Sequence, residues 1–264
     1  MIRLVPSLYW PAVPDAIEER ERDFWDHHVP TLEECLAEHG RGPDPYVREM
    51  IDAVAPRPGR RILDFACGAG VTTAWLAERG ADVVGVDLSP ASIRRAMEVR
   101  SSLGLNYELR VVGSSPGDLA AETGFDGVAG RFALHHLDLS AYGSAMAGVL
   151  RPGGVAAFVE TMATNPVLRV ARRTIVGRFG VARLGTTDEH PLSRKDIASL
   201  EDAFGAGEVR TPAITFFHLI DRQILHGHRP AMTRTLNAVD RLLGRSERLS
   251  FLSYCAVIVL RRSE

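Results

Sequence analysis

From residue 60 the apolar and polar positions change rhythm at regular intervals. RRILDFA is apolar through its middle and predicts a strand buried on both faces. VTTAWLAERG takes up helical spacing and stops at Gly80, and ADVVGVD is a second buried run. SPASIRRAMEVRSSLG predicts a helix, with Ser89 as cap and Pro90 in its first position. YELRVVG and FDGVAGRFAL read as third and fourth strands and LSAYGSAMAGVL as a helix. GGVAAFVET is a fifth strand after the turn RPGG. Strands alternating with helices at this spacing predict an α/β fold, a parallel sheet wound by helices on both faces.

The flanks are less regular. Residues 1–45 predict a helical arm: Pro14 and Asp15 open a helix, and Gly40 and Gly42 close one. DPYVREMIDAV is a further helix capped by Asp44, with Pro45 first. Residues 162–192 interrupt the strand-helix rhythm. SRKDIASLEDAFG then predicts a helix opened by Ser193 with Asp196, and EVRTPAITFFHL a strand. Residues 220–245 read as helical and RLSFLSYCAVIVLRR as a long final strand. The expected organisation is one domain over 1–264: an arm (1–45), a core (46–161), a lid insertion (162–192) and a C-terminal part (193–264) with a helical insertion at 220–245.

Composition narrows the function classes. With 264 residues, 45% of them hydrophobic, the chain can bury a sizeable core. A net charge of −2 lacks the basic balance that nucleic acid demands. Cys35, Cys67 and Cys255 are odd in number and widely spaced, which predicts neither disulfides nor a metal cluster. No signal sequence and no apolar run near the ~18 residues of a membrane span is evident. The expectation is a cytoplasmic protein without an integral membrane segment.

The turn ACGAG, between the first strand and its helix, is the strongest chemical signal. Glycine lets a backbone approach a ligand closely, and the helix start behind it suits an anion. A dinucleotide fingerprint needs a third glycine where this chain has Thr73, which argues against a nicotinamide cofactor. Asp64 sits at the end of the first strand. Asp87 ends the second, placed to accept both hydrogen bonds of a ribose diol. A ligand with a ribose, an amine and a carboxylate fits this set.

LDFACGAG, VVGVDLSP, FDGVAGRFALHHL and LRPGG, in this order, resemble the class I S-adenosylmethionine-dependent methyltransferases, in their ubiquinone/menaquinone-methyltransferase-like small-molecule branch. The resemblance covers residues 44–161 and the remainder only in outline. It implies a doubly wound, Rossmann-like, seven-stranded and mostly parallel sheet with an antiparallel last strand and helical lid insertions. It implies S-adenosyl-L-methionine as cofactor and S-adenosyl-L-homocysteine as product. Gly68 and Gly70, with Ala66 where the family often has glycine, would line the methionine end. Asp64 would face its amino group, Asp87 would bind the ribose, and Leu88 would pack on the adenine. The third strand ends in Gly113-Ser114 where the family usually has Gly-Asp, so Ser114 is the residue left to meet the adenine. Gly130 and Arg131 would stand beside the cofactor after strand four.

Methyl transfer asks mainly for alignment, and for a base where the acceptor must lose a proton. His135 and His136 follow strand four, at the edge where open α/β sheets bind ligands. One is expected to face the acceptor and the other to shape the loop. Glu160, at the end of strand five, and nearby Asn165 are acceptor contacts or loop caps. Residues 161–187 hold five arginines and no acid, with interleaved apolar residues. Arg172 in that run meets an anionic acceptor or belongs to a solvated face. Trp25 closes over an apolar substrate or packs on the core. The partner expected is a small-molecule acceptor in specialised metabolism, with no metal and with residues 220–245 available to pair two subunits. A quinone-pathway C-methyltransferase, and a non-methylating cyclisation or rearrangement on the same fold, stay open.

Overall fold

The five apolar runs become five parallel strands: β1 (Arg61–Phe65), β2 (Asp82–Asp87), β3 (Glu108–Val111), β4 (Phe125–Arg131) and β5 (Leu150–Thr161). Two more, β6 (Gly205–Arg210) and β7 (Cys255–Arg262), complete one sheet in the order β3-β2-β1-β4-β5-β7-β6. β7 pairs antiparallel with both β5 and β6. The computed structural model describes residues 16–113, 115–120, 122–174, 190–223, 230–244 and 246–264.

The helices are α1 (Ala16–His27), α2 (Leu32–Arg41), α3 (Pro45–Val54), α4 (Val71–Ala77), α5 (Pro90–Leu103), α6 (Pro116–Ala120), α7 (Leu139–Val149), α8 (Pro166–Thr174), α9 (Arg194–Phe204), α10 (Phe216–Gln223) and α11 (Pro230–Gly244). The sheet carries a core on each face. On one, Ile62, Val83 and Val257 pack with Ile51 of α3, Trp75 of α4 and Val99 of α5. On the other, Leu63, Val84 and Val128 pack with Met146 of α7 and Leu200 of α9. Adjacent strand residues therefore serve opposite cores, and central strands read as unbroken apolar runs for that reason.

The capping signals hold: Asp44 accepts from the Tyr46 and Val47 amides, Ser89 from Ser92, and Ser193 from Asp196. Two strand expectations are corrected. EVRTPAITFFHL is strand only as far as Arg210. Thr215 turns with φ 52°, and Asp240 accepts from the Phe217 amide, which starts α10. The final strand begins only at Cys255, because Glu247–Leu252 winds into 3₁₀ turns. In both, aromatic and β-branched composition suggested extended chain, and contacts from elsewhere in the sequence overrode it.

Candidate functional site

At the carboxyl ends of β1 and β2 the chain makes a tight turn. Ala66 (φ 55°), Gly68 (φ 52°) and Gly70 (φ 78°) all take left-handed backbone. The two glycines serve different ends. A Cβ on Gly70 would stand 2.8 Å from the Ala96 methyl, so Gly70 is small because α5 crosses there. A Cβ on Gly68 would meet nothing within 4 Å, so that side of the turn is open to a ligand. Gly130 is a packing position as well: its Cβ would fall 2.7 Å from the Phe158 ring.

Asp87 faces this turn. Its Oδ2 accepts the Gly68 amide at 2.8 Å and its Oδ1 the Ser89 amide at 2.9 Å. Each oxygen has a second lone pair, so the same carboxylate can also receive a diol. Burial pushes the Asp87 carboxyl up, against the pull of the Ser89 and Gly68 amides. Leu88 beside it is half-buried. Asp64 is fully interior and accepts the Thr73 hydroxyl at 2.6 Å. Burial raises its carboxyl to about 7, while Thr73 and Arg131 pull it down. Arg131 turns toward the helices: its guanidinium donates to Glu38 of α2 at 3.0 Å and to Thr72 of α4 at 3.4 Å. An acid, a cation and an open backbone turn thus lie along one sheet edge. That donor set fits an amino-acid tail joined to a sugar.

The two histidines take distinct places. His135 Nδ1 lies 2.7 Å from Glu160, and the same carboxylate accepts the Ala133 and Leu134 amides at 2.8 and 2.7 Å. Glu160 is wholly buried and fastens the loop after β4, so the expectation that it touches an acceptor is corrected. Asn165 is corrected likewise. It is buried, donates to the Leu252 carbonyl and accepts the Val167 and Leu168 amides as the cap of α8. His136 lies closer to solvent, with Nδ1 3.3 Å from Glu21 of α1. Trp25, 37% exposed, donates to the same Glu21 oxygen and meets the His136 ring edge-on at 6.4 Å. Ser114 and residues 175–189 of the arginine-rich insertion lie outside the described residues. So does the side chain of Arg172, whose backbone belongs to α8.

Sequence reasoning missed several residues. Glu21 and Asp26 sit in the charged run AIEERERDFWDH, which reads as a solvated helix face. Asp26 accepts the Ser89 hydroxyl at 2.5 Å and the Ala91 amide at 3.1 Å, docking α1 on the start of α5. Phe132, left-handed at φ 53° and 40% exposed, directly follows Arg131 at the end of β4. No local signal announced it. Among the described residues no group of His, Cys, Asp and Glu is placed to hold a metal, and no helix is long and apolar enough to cross a membrane.

A family profile described as a methyltransferase domain matches residues 62–154. The chain is 36% identical over 146 residues to a ubiquinone biosynthesis O-methyltransferase of Methylocella silvestris, covering 52% of this chain and 54% of that protein. Against the protein of the same name from Brucella anthropi it is 32% identical over 179 residues, covering 62% and 69%. The chain thus spans about half the length of the first of these relatives and over two thirds of the second. Among solved structures, a geranyl diphosphate C-methyltransferase from Streptomyces coelicolor superposes with a TM-score of 0.63 at 14% identity, over 96% of this chain and all of that one. The cyclase SpnF superposes at 0.57 with 16% identity, over 96% and 98%. At these identities the likeness is one of fold.

Proposed function

Because the chain belongs to the class I S-adenosylmethionine-dependent methyltransferases, we propose that it transfers a methyl group from S-adenosylmethionine to a small-molecule acceptor and releases S-adenosylhomocysteine. The observation that carries this reading is the Asp87 carboxylate, 2.8 Å from the amide of Gly68, whose outer side is open. The bound sulfonium would supply a methyl carbon already activated for displacement. In this reading Asp87 holds the ribose hydroxyls, Leu88 lies under the base, and the Gly68 backbone meets the amino-acid tail between Asp64 and Arg131. Ser114 remains the residue assigned to the adenine.

What the chain adds to the chemistry is alignment and a proton acceptor. An in-line displacement gains roughly 7–11 kcal/mol from correct placement alone. His136 is the base in this reading: with its proton on Nδ1, toward Glu21, the lone pair at Nε2 takes the acceptor proton. His135, held inside by Glu160, shapes the loop. Exposed apolar side chains just after β4 (Phe132), on α8 (Val167, Val170) and on α1 (Trp25) favour an acceptor with an apolar body. The names of the curated relatives favour a quinone-pathway phenol. Arg172 on α8 is the proposed contact for an anionic substituent.

Calorimetry with S-adenosylmethionine, with NAD as control, tests the cofactor, and S-adenosylhomocysteine release across a panel of phenolic acceptors tests the reaction. Binding without release over that panel would favour a rearrangement or cyclisation on the same fold.

A further inference from the structure

The two adjacent histidines each face a carboxylate, and the two carboxylates belong to different parts of the molecule. Glu160 is part of β5, in the centre of the sheet, and cannot move without the core. Glu21 belongs to α1, which reaches the sheet edge only by docking. It is 5% exposed, an unusual degree of burial for a glutamate on an outer helix. Its Oε2 stands 3.3 Å from His136 Nδ1 and receives the Trp25 indole at 3.2 Å. One turn on, Asp26 caps α5 through Ser89 and Ala91, two to four residues beyond Asp87. The same helix therefore grips the cofactor-side loop with one carboxylate and the loop after β4 with another.

We propose that Glu21 is a positioning residue for the base, fixing the His136 imidazole as the Nδ1–H tautomer so that the α1 helix and the sheet edge together make the proton-accepting site. The inference rests on the methyltransferase reading for its chemistry and on α1 docking for its geometry. A carboxylate at Nδ1 does two things. It sets which nitrogen carries the proton, and it stabilises the imidazolium formed when Nε2 takes the acceptor proton. Nothing is oxidised or reduced: the acceptor O–H proton would pass to Nε2, the acceptor oxygen would take the methyl carbon, and the pair of the broken C–S bond would stay on the sulfur of the departing S-adenosylhomocysteine. Among the described residues, the groups facing His136 include the Glu21 carboxylate from α1, the Trp25 indole from α1 and the His135 ring, 4.2 Å away, from its own loop.

The test is Glu21→Gln in the full chain, read in two ways. Long-range proton–nitrogen NMR of the ligand-free protein reports the His136 tautomer. The parent should hold its proton on Nδ1, and the variant should shift toward the Nε2–H form and take up a proton only at lower pH. In turnover, kcat should fall roughly 10–100-fold. The acid limb of the kcat profile should move to lower pH, and the KM for S-adenosylmethionine should stay within a factor of about two. Glu21→Asp, which keeps the charge, should restore part of the rate. An unchanged His136 tautomer and titration overturns the proposal. So does a loss of rate with an unmoved acid limb. The NMR arm decides this question even if no S-adenosylmethionine binds, an outcome that would count against the methyltransferase reading alone.

Discussion

The Thr73 hydroxyl donates to the Asp64 carboxylate across 2.6 Å, inside the protein, and so ties the first helix of the wound sheet to its first strand. Thr73 is also the residue that breaks the dinucleotide pattern. The position where a dinucleotide-binding chain needs glycine for close helix–strand packing is here used for a hydrogen bond between the same two elements.

Asp64 makes stability depend on pH in a defined direction. Burial lifts its carboxyl from 3.8 to about 7, so the folded chain keeps a proton that the unfolded chain releases between those values. The stabilisation is complete below pH ~4 and is lost as the pH rises toward ~7. Asp64→Asn retains an acceptor for Thr73 and has no proton to lose. Its Tm relative to the parent should climb steadily from pH 4 to pH 7.5 in scanning calorimetry, and two parallel curves would refute the assignment.

Asp87→Ala removes the acceptor for the Gly68 and Ser89 amides as well as the proposed sugar contact. Hydrogen bonds to a charged group are worth roughly 1.5–3 kcal/mol, so affinity for S-adenosylhomocysteine should fall about 10- to 100-fold by isothermal titration. Parent-like affinity would dismiss the cofactor assignment.

Glu160→Ala should behave as a folding mutant. It strands two buried amides and the His135 imidazole, at roughly 1–3 kcal/mol for each group. Urea unfolding should show a loss of at least about 3 kcal/mol, and a variant with parental stability would restore Glu160 as a candidate acceptor contact.

Ala66 occupies left-handed backbone at φ 55° without being glycine. Ala66→Gly relieves that strain and should stabilise the chain by up to about 1 kcal/mol, seen as a higher urea midpoint with unchanged slope. A lower midpoint would mean that unfolded-chain entropy outweighs the strain.

The parts legible in the sequence were those fixed by local chemistry. Apolar runs gave β1, β2, β4 and β5. Ser89 with Pro90 and Ser193 with Asp196 marked helix starts. Asp87 was visible because a strand end and a following turn fix where its carboxylate lies. What escaped was set by long-range contact. Glu160 ends a strand exactly as a ligand-binding acid would, and only the fold of the loop after β4 shows that three donors converge on it. Gly70 reads as a ligand glycine until α5 is seen crossing it. Glu21 and Glu18 are both glutamates in one charged helix, and nothing local tells which one docks against a histidine.

The seating of α1 also bears on synthesis. Residues 21 and 26 leave the ribosome before anything they dock on exists. Asp26 needs position 89, and Glu21 needs position 136. A charged, soluble helix can wait exposed to water without aggregating, where an apolar one would seek a wrong partner. Its chemistry therefore suits a segment that is translated early and joins the folded body late.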